Sequence, residues 1–127
     1  MPTDWKRLSR DAGLPVEESS LAVALGEGRR HKVSVEESVA SGLLRLWSIA
    51  APPSAVAKVD EQPHIVAWAR NRASDLVGFK IDSRGRLIGE AWVPVDGIDA
   101  HEWAIYVLAV ARACDRIEYL LTGRDDE

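Results

Sequence analysis

The spacing of apolar residues changes period several times along the chain, and each change marks an element. Trp5, Leu8 and Ala12 share one face at helical spacing. Thr3 is the expected N-cap, Asp4 suits the positive end of the helix dipole, and Gly13 followed by Pro15 is a stop. Three runs with alternating polarity follow: SLAVALG (Ser20–Gly26), RHKVSVEE (Arg30–Glu37) and GLLRLWSIA (Gly42–Ala50). They are rich in Val and Leu and close in sequence, which predicts an antiparallel meander.

The alternation then breaks. AAPPSAVAKVDEQP, Ala50–Pro63, has two consecutive prolines and small residues, so it reads as a connection inside one domain. Pro63 suits the first turn of a helix, and HIVAWARNRA, His64–Ala73, carries Ile65, Trp68, Ala69 and Arg72 at helical spacing. A hairpin follows within GFKIDSRGRLIGEAW, Gly78–Trp92, and then the strongest helical signal. There Asp99 is the N-cap, Glu102 completes a capping-box pattern, and Ile98 and Trp103 occupy the positions of a hydrophobic staple. Trp103, Val107, Val110, Cys114, Ile117 and Leu121 repeat at alternating fours and threes until Gly123, leaving 123–127 as an acidic tail.

The hairpin register follows from which side chains it buries. A three-residue loop, Ser83, Arg84 and Gly85, sets Asp82 opposite Arg86, Ile81 opposite Leu87, Phe79 opposite Gly89 and Val77 opposite Ala91. One face is then wholly apolar, and the other holds the Asp82/Arg86 pair with Lys80 diagonal to Glu90. A two-residue loop would place Glu90 among Val77, Phe79 and Ile81, where an unpaired carboxylate costs several kcal/mol.

The element order is α-β-β-β-α-β-β-α: an α+β fold with a single antiparallel sheet and helices packed on it, forming one domain over residues 1–127. At this length the order resembles the fold shared by the type III secretion chaperones and the YbjN-like proteins. The closing stretch LVGFKIDSRGRLIGEAWVPVDGIDAHEW, Leu76–Trp103, looks like the YbjN-like ending of strand, strand and long helix. The resemblance is one of topology and hydrophobic pattern, without signature residues, so it transfers no functional residue. It implies a small, bacterial, cytoplasmic, homodimeric protein that binds other proteins and catalyses nothing.

Composition narrows the function classes. Hydrophobic residues make up 46% and charged residues 28%, ordinary values for a globular chain. Five of the eight aromatics are Trp, an unusual bias. With 16 basic residues against 20 acidic, the net charge of −4 argues against nucleic acid or an anionic membrane as partner. The lysine and arginines of the densest basic run, GRRHK (Gly28–Lys32), are expected in a turn and on the solvent face of the next strand. A single cysteine and a charged N-terminus, MPTDWKRLSRDAG, suit a reducing cytoplasm.

No reaction is proposed by the side chains. Cys114 falls on the apolar stripe of the last helix, where a thiol is a small hydrophobe. His31, His64 and His101 are more than thirty residues apart, with no second ligand at metal-site spacing, so no metal and no cofactor is expected. VDGIDAHE, Val95–Glu102, lacks the ligand order of a calcium loop, and neither GEG nor the Gly85/Gly89 pair belongs to a phosphate loop.

What the pattern does single out is a face. The hairpin register puts Leu76, Ile88 and Trp92 on the side marked outward by Lys80 and Glu90, and Arg45 marks Leu43, Trp47 and Ile49 likewise in the third strand. Leu43, Arg45, Trp47, Ile88, Glu90 and Trp92 are therefore the candidate partner-binding residues, for another protein or a second copy of the chain. The alternatives are that the Ile65/Trp68 helix or the Pro52/Pro53 connection covers this face, or that a pocket between the sheet and the second helix, near His64 and Trp68, serves a small molecule or an enzymatic reaction.

Overall fold

The structure is a computed structural model, and it describes residues 4–26, 28–38, 42–56, 77–94 and 97–122. The elements are α1 (Trp5–Asp11), β1 (Ser20–Gly26), β2 (Arg29–Ser38), β3 (Leu43–Ala51), α2 (Pro53–Val56), β4 (Gly78–Ile81), β5 (Leu87–Pro94) and α3 (Ala100–Thr122). The five strands form one antiparallel sheet in the order β1-β2-β3-β5-β4. This is the expected α+β order. The single turn of α2 lies inside the stretch read as a connection, and the helix expected over His64–Ala73 falls outside the described residues.

The meander forms where the alternation predicts it. In β3 Leu44, Leu46, Ser48 and Ala50 are buried while Leu43, Arg45, Trp47 and Ile49 are only partly so. A bulge between Ile49 and Ala51 shifts the register, which lets Ala50 and Ala51 both turn inward.

Asp4, rather than Thr3, caps α1: its Oδ1 accepts from the backbone N–H of Lys6 and Arg7 at 3.2 and 3.3 Å. A cap satisfies its donors from the residue just before the first helical one, which here is Asp4. Gly13, at φ 75°, ends the helix as expected.

α3 lies across the inner face of the sheet and α1 packs against it. Asp99 caps α3 by accepting from the Glu102 backbone N–H at 2.8 Å. Its stripe of Trp103, Val107, Val110, Cys114 and Ile117 meets Leu21, Val23, Val33, Leu44, Leu46, Phe79, Leu87 and Val93. The Trp5 and Trp103 rings meet tilted at 37°, with 6.3 Å between ring centres. A buried relay joins the two helices: Trp103 Nε1 donates to Ser9 Oγ at 2.7 Å, which donates to the Trp5 carbonyl at 2.7 Å. Every polar atom of that relay is matched, as burial demands.

β5 and α3 approach each other closely at Gly89. A methyl group there would lie 2.5 Å from Cys114 Sγ and 3.0 Å from the Phe79 ring. The glycine is required by the helix crossing over it as much as by the Phe79 ring. The Cys114 thiol donates to the Ser48 carbonyl at 3.6 Å. Burial pushes its pKa up to about 12, so it packs as an inert small hydrophobe.

Candidate interaction surface on the outer face of the sheet

The hairpin tip sets the geometry of the outer face. Gly85 has φ 79°, Gly85 N–H donates to the Asp82 carbonyl at 3.0 Å, and Asp82 N–H donates to Arg86 O at 2.9 Å. The paired residues are Ile81 with Leu87, Lys80 with Ile88, Phe79 with Gly89 and Gly78 with Glu90. This is the three-residue loop and the register expected from the side chains, although the ladder starts at Gly78 and leaves Val77 just outside it. Asp82 holds the loop: Oδ1 accepts from the backbone N–H of Arg84 and Arg86 at 3.0 and 2.9 Å, and Oδ2 from Arg86 Nε at 2.7 Å. Partial burial opposes the charge, but these hydrogen bonds outweigh it and hold the carboxyl below its usual range.

Because β3 pairs with β5, outward residues far apart in sequence come into rows across the sheet. Glu36 faces Arg45, which faces Trp92; Ser34 faces Trp47, which faces Glu90, which faces Gly78; Ile49 faces Ile88, which faces Lys80. All six candidate residues therefore share one face, with Leu43 opposite Pro94 at one end.

Charge links these rows. Arg45 Nε donates to Glu90 Oε2 at 2.5 Å and Nη1 to Glu36 Oε2 at 3.0 Å, while Lys80 Nζ lies 3.4 Å from Glu90 Oε1. Burial works against the Arg45 charge, but its bonds to Glu90 and Glu36 outweigh that and hold the guanidinium above its ordinary value. Lys80 and Glu90 pair as expected, but the chief partner of Glu90 is Arg45. Arg45 and Arg86 also lie 5.4 and 5.6 Å from the centre of the Trp47 ring, within range of cation–π attraction.

These residues frame a cavity of about 620 Å³, lined among the described residues by Glu36, Arg45, Trp47, Lys80, Ile81, Asp82, Ser83, Arg84, Arg86 and Ile88. Ile88 is 2% exposed and belongs to its floor, whereas Trp92, at 47%, is the larger of two exposed large hydrophobics among the described residues. Leu43, Arg45, Trp47 and Glu90 are half-buried between these extremes. Leu76 and the Ile65/Trp68 helix, which were to adjoin or cover this face, lie outside the described residues, as does the pocket expected beside His64. Of the GRRHK run, Arg30 and Lys32 are exposed as expected, while Arg29 is partly exposed and reaches Asp115, its Nη1 donating to Oδ2 at 3.0 Å.

No protein-family model and no curated protein matches the chain. Solved structures do match its fold. A chain of the ExsC–ExsE complex aligns with a TM-score of 0.65 and 14% identity over 92% of both chains. The structure of the Yersinia pestis type III secretion chaperone SycH in complex with a stable fragment of YscM2 aligns at 0.56 and 9% identity, over 89% of this chain and 95% of the other. The heterodimeric ExoU–SpcU complex from the type III secretion system of Pseudomonas aeruginosa aligns at 0.59 and 19%, over 98% and 100%. At these identities the shared property is the fold, which is that of the type III secretion chaperones. The YbjN-like part of the resemblance receives no support from these structures.

Proposed function

We propose that this chain is a non-catalytic, chaperone-like protein-binding module, cytoplasmic and homodimeric, whose outer sheet face is its contact surface. The fold neighbours support the protein-binding part, since the ones named above were solved as complexes of proteins. The observation that carries the choice of surface is Trp92, half exposed beside the chain of charges running from Glu36 through Arg45 and Glu90 to Lys80. A large aromatic set in a frame of paired charges is what the centre and rim of an interface require. Among the described residues no helix is long and apolar enough to cross a membrane.

Sedimentation of the purified chain is the direct test. The wild type is expected to sediment as a dimer and the Trp92→Ala variant to shift towards monomer, with unchanged far-UV circular dichroism. A strict monomer that Trp92→Ala leaves unaltered defeats the self-association reading. A partner captured by wild type and retained equally by Trp92→Ala and Arg45→Ala places binding on another surface.

A further inference from the structure

The inner face holds a second cluster that the interaction surface does not use. His31 of β2 and Asp115 and Glu118 of α3 are 1%, 6% and 0% exposed, and each offers a ligand-type atom within 4.8 Å of the others. Nothing in the linear spacing of the histidines predicts this, because both carboxylates come from the far end of the chain. His31 occupies an inward position of β2, continuing the buried row of Val33 and Val35. Asp115 and Glu118 are three apart, hence on one face of α3, next to Cys114 and Ile117 of the core stripe.

Two carboxyl groups and an imidazole are a costly choice for positions where the neighbouring rows are Val, Cys and Ile. Arg29 brings one positive charge to Asp115, and two carboxylates side by side in the core still repel, a repulsion that a bound cation relieves. We propose that His31, Asp115 and Glu118 form a binding site for a divalent transition metal ion of the zinc class. The donor set points to that class: one imidazole nitrogen and two carboxylate oxygens suit a borderline ion, and there is no sulfur ligand for a soft one. Calcium and magnesium take six or more oxygens or several retained waters, which a histidine-containing buried cluster does not favour.

Geometry and surroundings agree. Donors about 2.0–2.2 Å from a tetrahedral ion stand roughly 3.4 Å apart. Atoms that already lie within 4.8 Å reach that arrangement by small side-chain rotations on two rigid elements. Arg29 takes the part of an outer partner: its Nη1 holds Asp115 Oδ2 at 3.0 Å and orients the carboxylate. Bound there, the metal ties β2 to the C-terminal half of α3 and so braces the end of the sheet opposite the β4–β5 hairpin.

The test uses the full-length chain stripped with a chelator, then titrated with Zn²⁺ while binding stoichiometry and melting temperature are followed. One ion per chain and a saturable rise in melting temperature are expected. His31→Gln and Glu118→Gln should weaken binding by roughly tenfold or more, and His101→Gln, which alters an exposed histidine on α3, should leave it unchanged. No rise in melting temperature, or a rise that His31→Gln and Glu118→Gln retain in full, overturns the proposal. Should those variants fail to fold, Co²⁺ added to the stripped wild type decides: intense visible absorption from a four- or five-coordinate ion supports the site. The pale spectrum of the aquo ion overturns it.

Discussion

On the inner face of the sheet Leu44, Leu46, Val93 and Ala91 meet α3 with no space to spare, to the point that Gly89 has to be glycine. On the outer face, one residue along the same strands, Arg45, Trp47, Glu90 and Trp92 remain partly open and are joined by charge. The alternation of a single strand thus writes two different surfaces at once. The inner one is held by packing, whose energy grows with area buried and falls sharply when shape is lost. The outer one is held by ion pairs in partial contact with water, each of which contributes little to stability. Changes to the inner face should therefore read out in folding, and changes to the outer face in association.

The most severe test of that division is Trp103→Ala. It empties the largest fully buried side chain among the described residues and leaves Ser9 Oγ without its donor, so urea denaturation should report a loss of about 3–5 kcal/mol. Gly89→Ala comes next, at about 1–3 kcal/mol, because its methyl meets Cys114 Sγ and the Phe79 ring. Combining it with Cys114→Ala should recover part of that loss; a double variant whose losses simply add would show that the contact is not the cause. The smallest effect belongs to the hairpin at the rim of the outer face. Asp82→Asn should cost under about 1 kcal/mol at pH 7. Since the folded carboxyl lies below its unfolded value of about 3.9, the difference between wild type and variant should be full above that value. It should fade as pH falls through the depressed folded one, and urea midpoints measured from pH 7 to pH 2 check it.

Much of this contrast was legible along the chain. The strands appear where polarity alternates, and the hairpin register followed from keeping Glu90 out of the apolar face. Asp99 marked the start of α3 because a cap is a local hydrogen bond to the next turn. The candidate face was legible too, since period two places Leu43, Arg45 and Trp47 together without knowledge of their neighbours. What escaped were contacts between elements. Glu90 was matched to Lys80 in its own hairpin, but its nearest partner, Arg45, arrives from 45 residues away because β3 inserts beside β5. The Trp103–Ser9 bond spans 94 residues and the Arg29–Asp115 pair 86.

The sequence by itself determined the order of elements, the alternation of faces along β3 and the hairpin, and the turn at Gly85, because periodicity, capping and backbone sterics act within a few residues. Only the tertiary structure decided that Arg45 would neutralise Glu90, that Cys114 would press on Gly89, and that His31 would meet Asp115 and Glu118. Those encounters depend on strand order and on where α3 crosses the sheet, and both are set by the summed packing of the whole core rather than by any stretch of the chain.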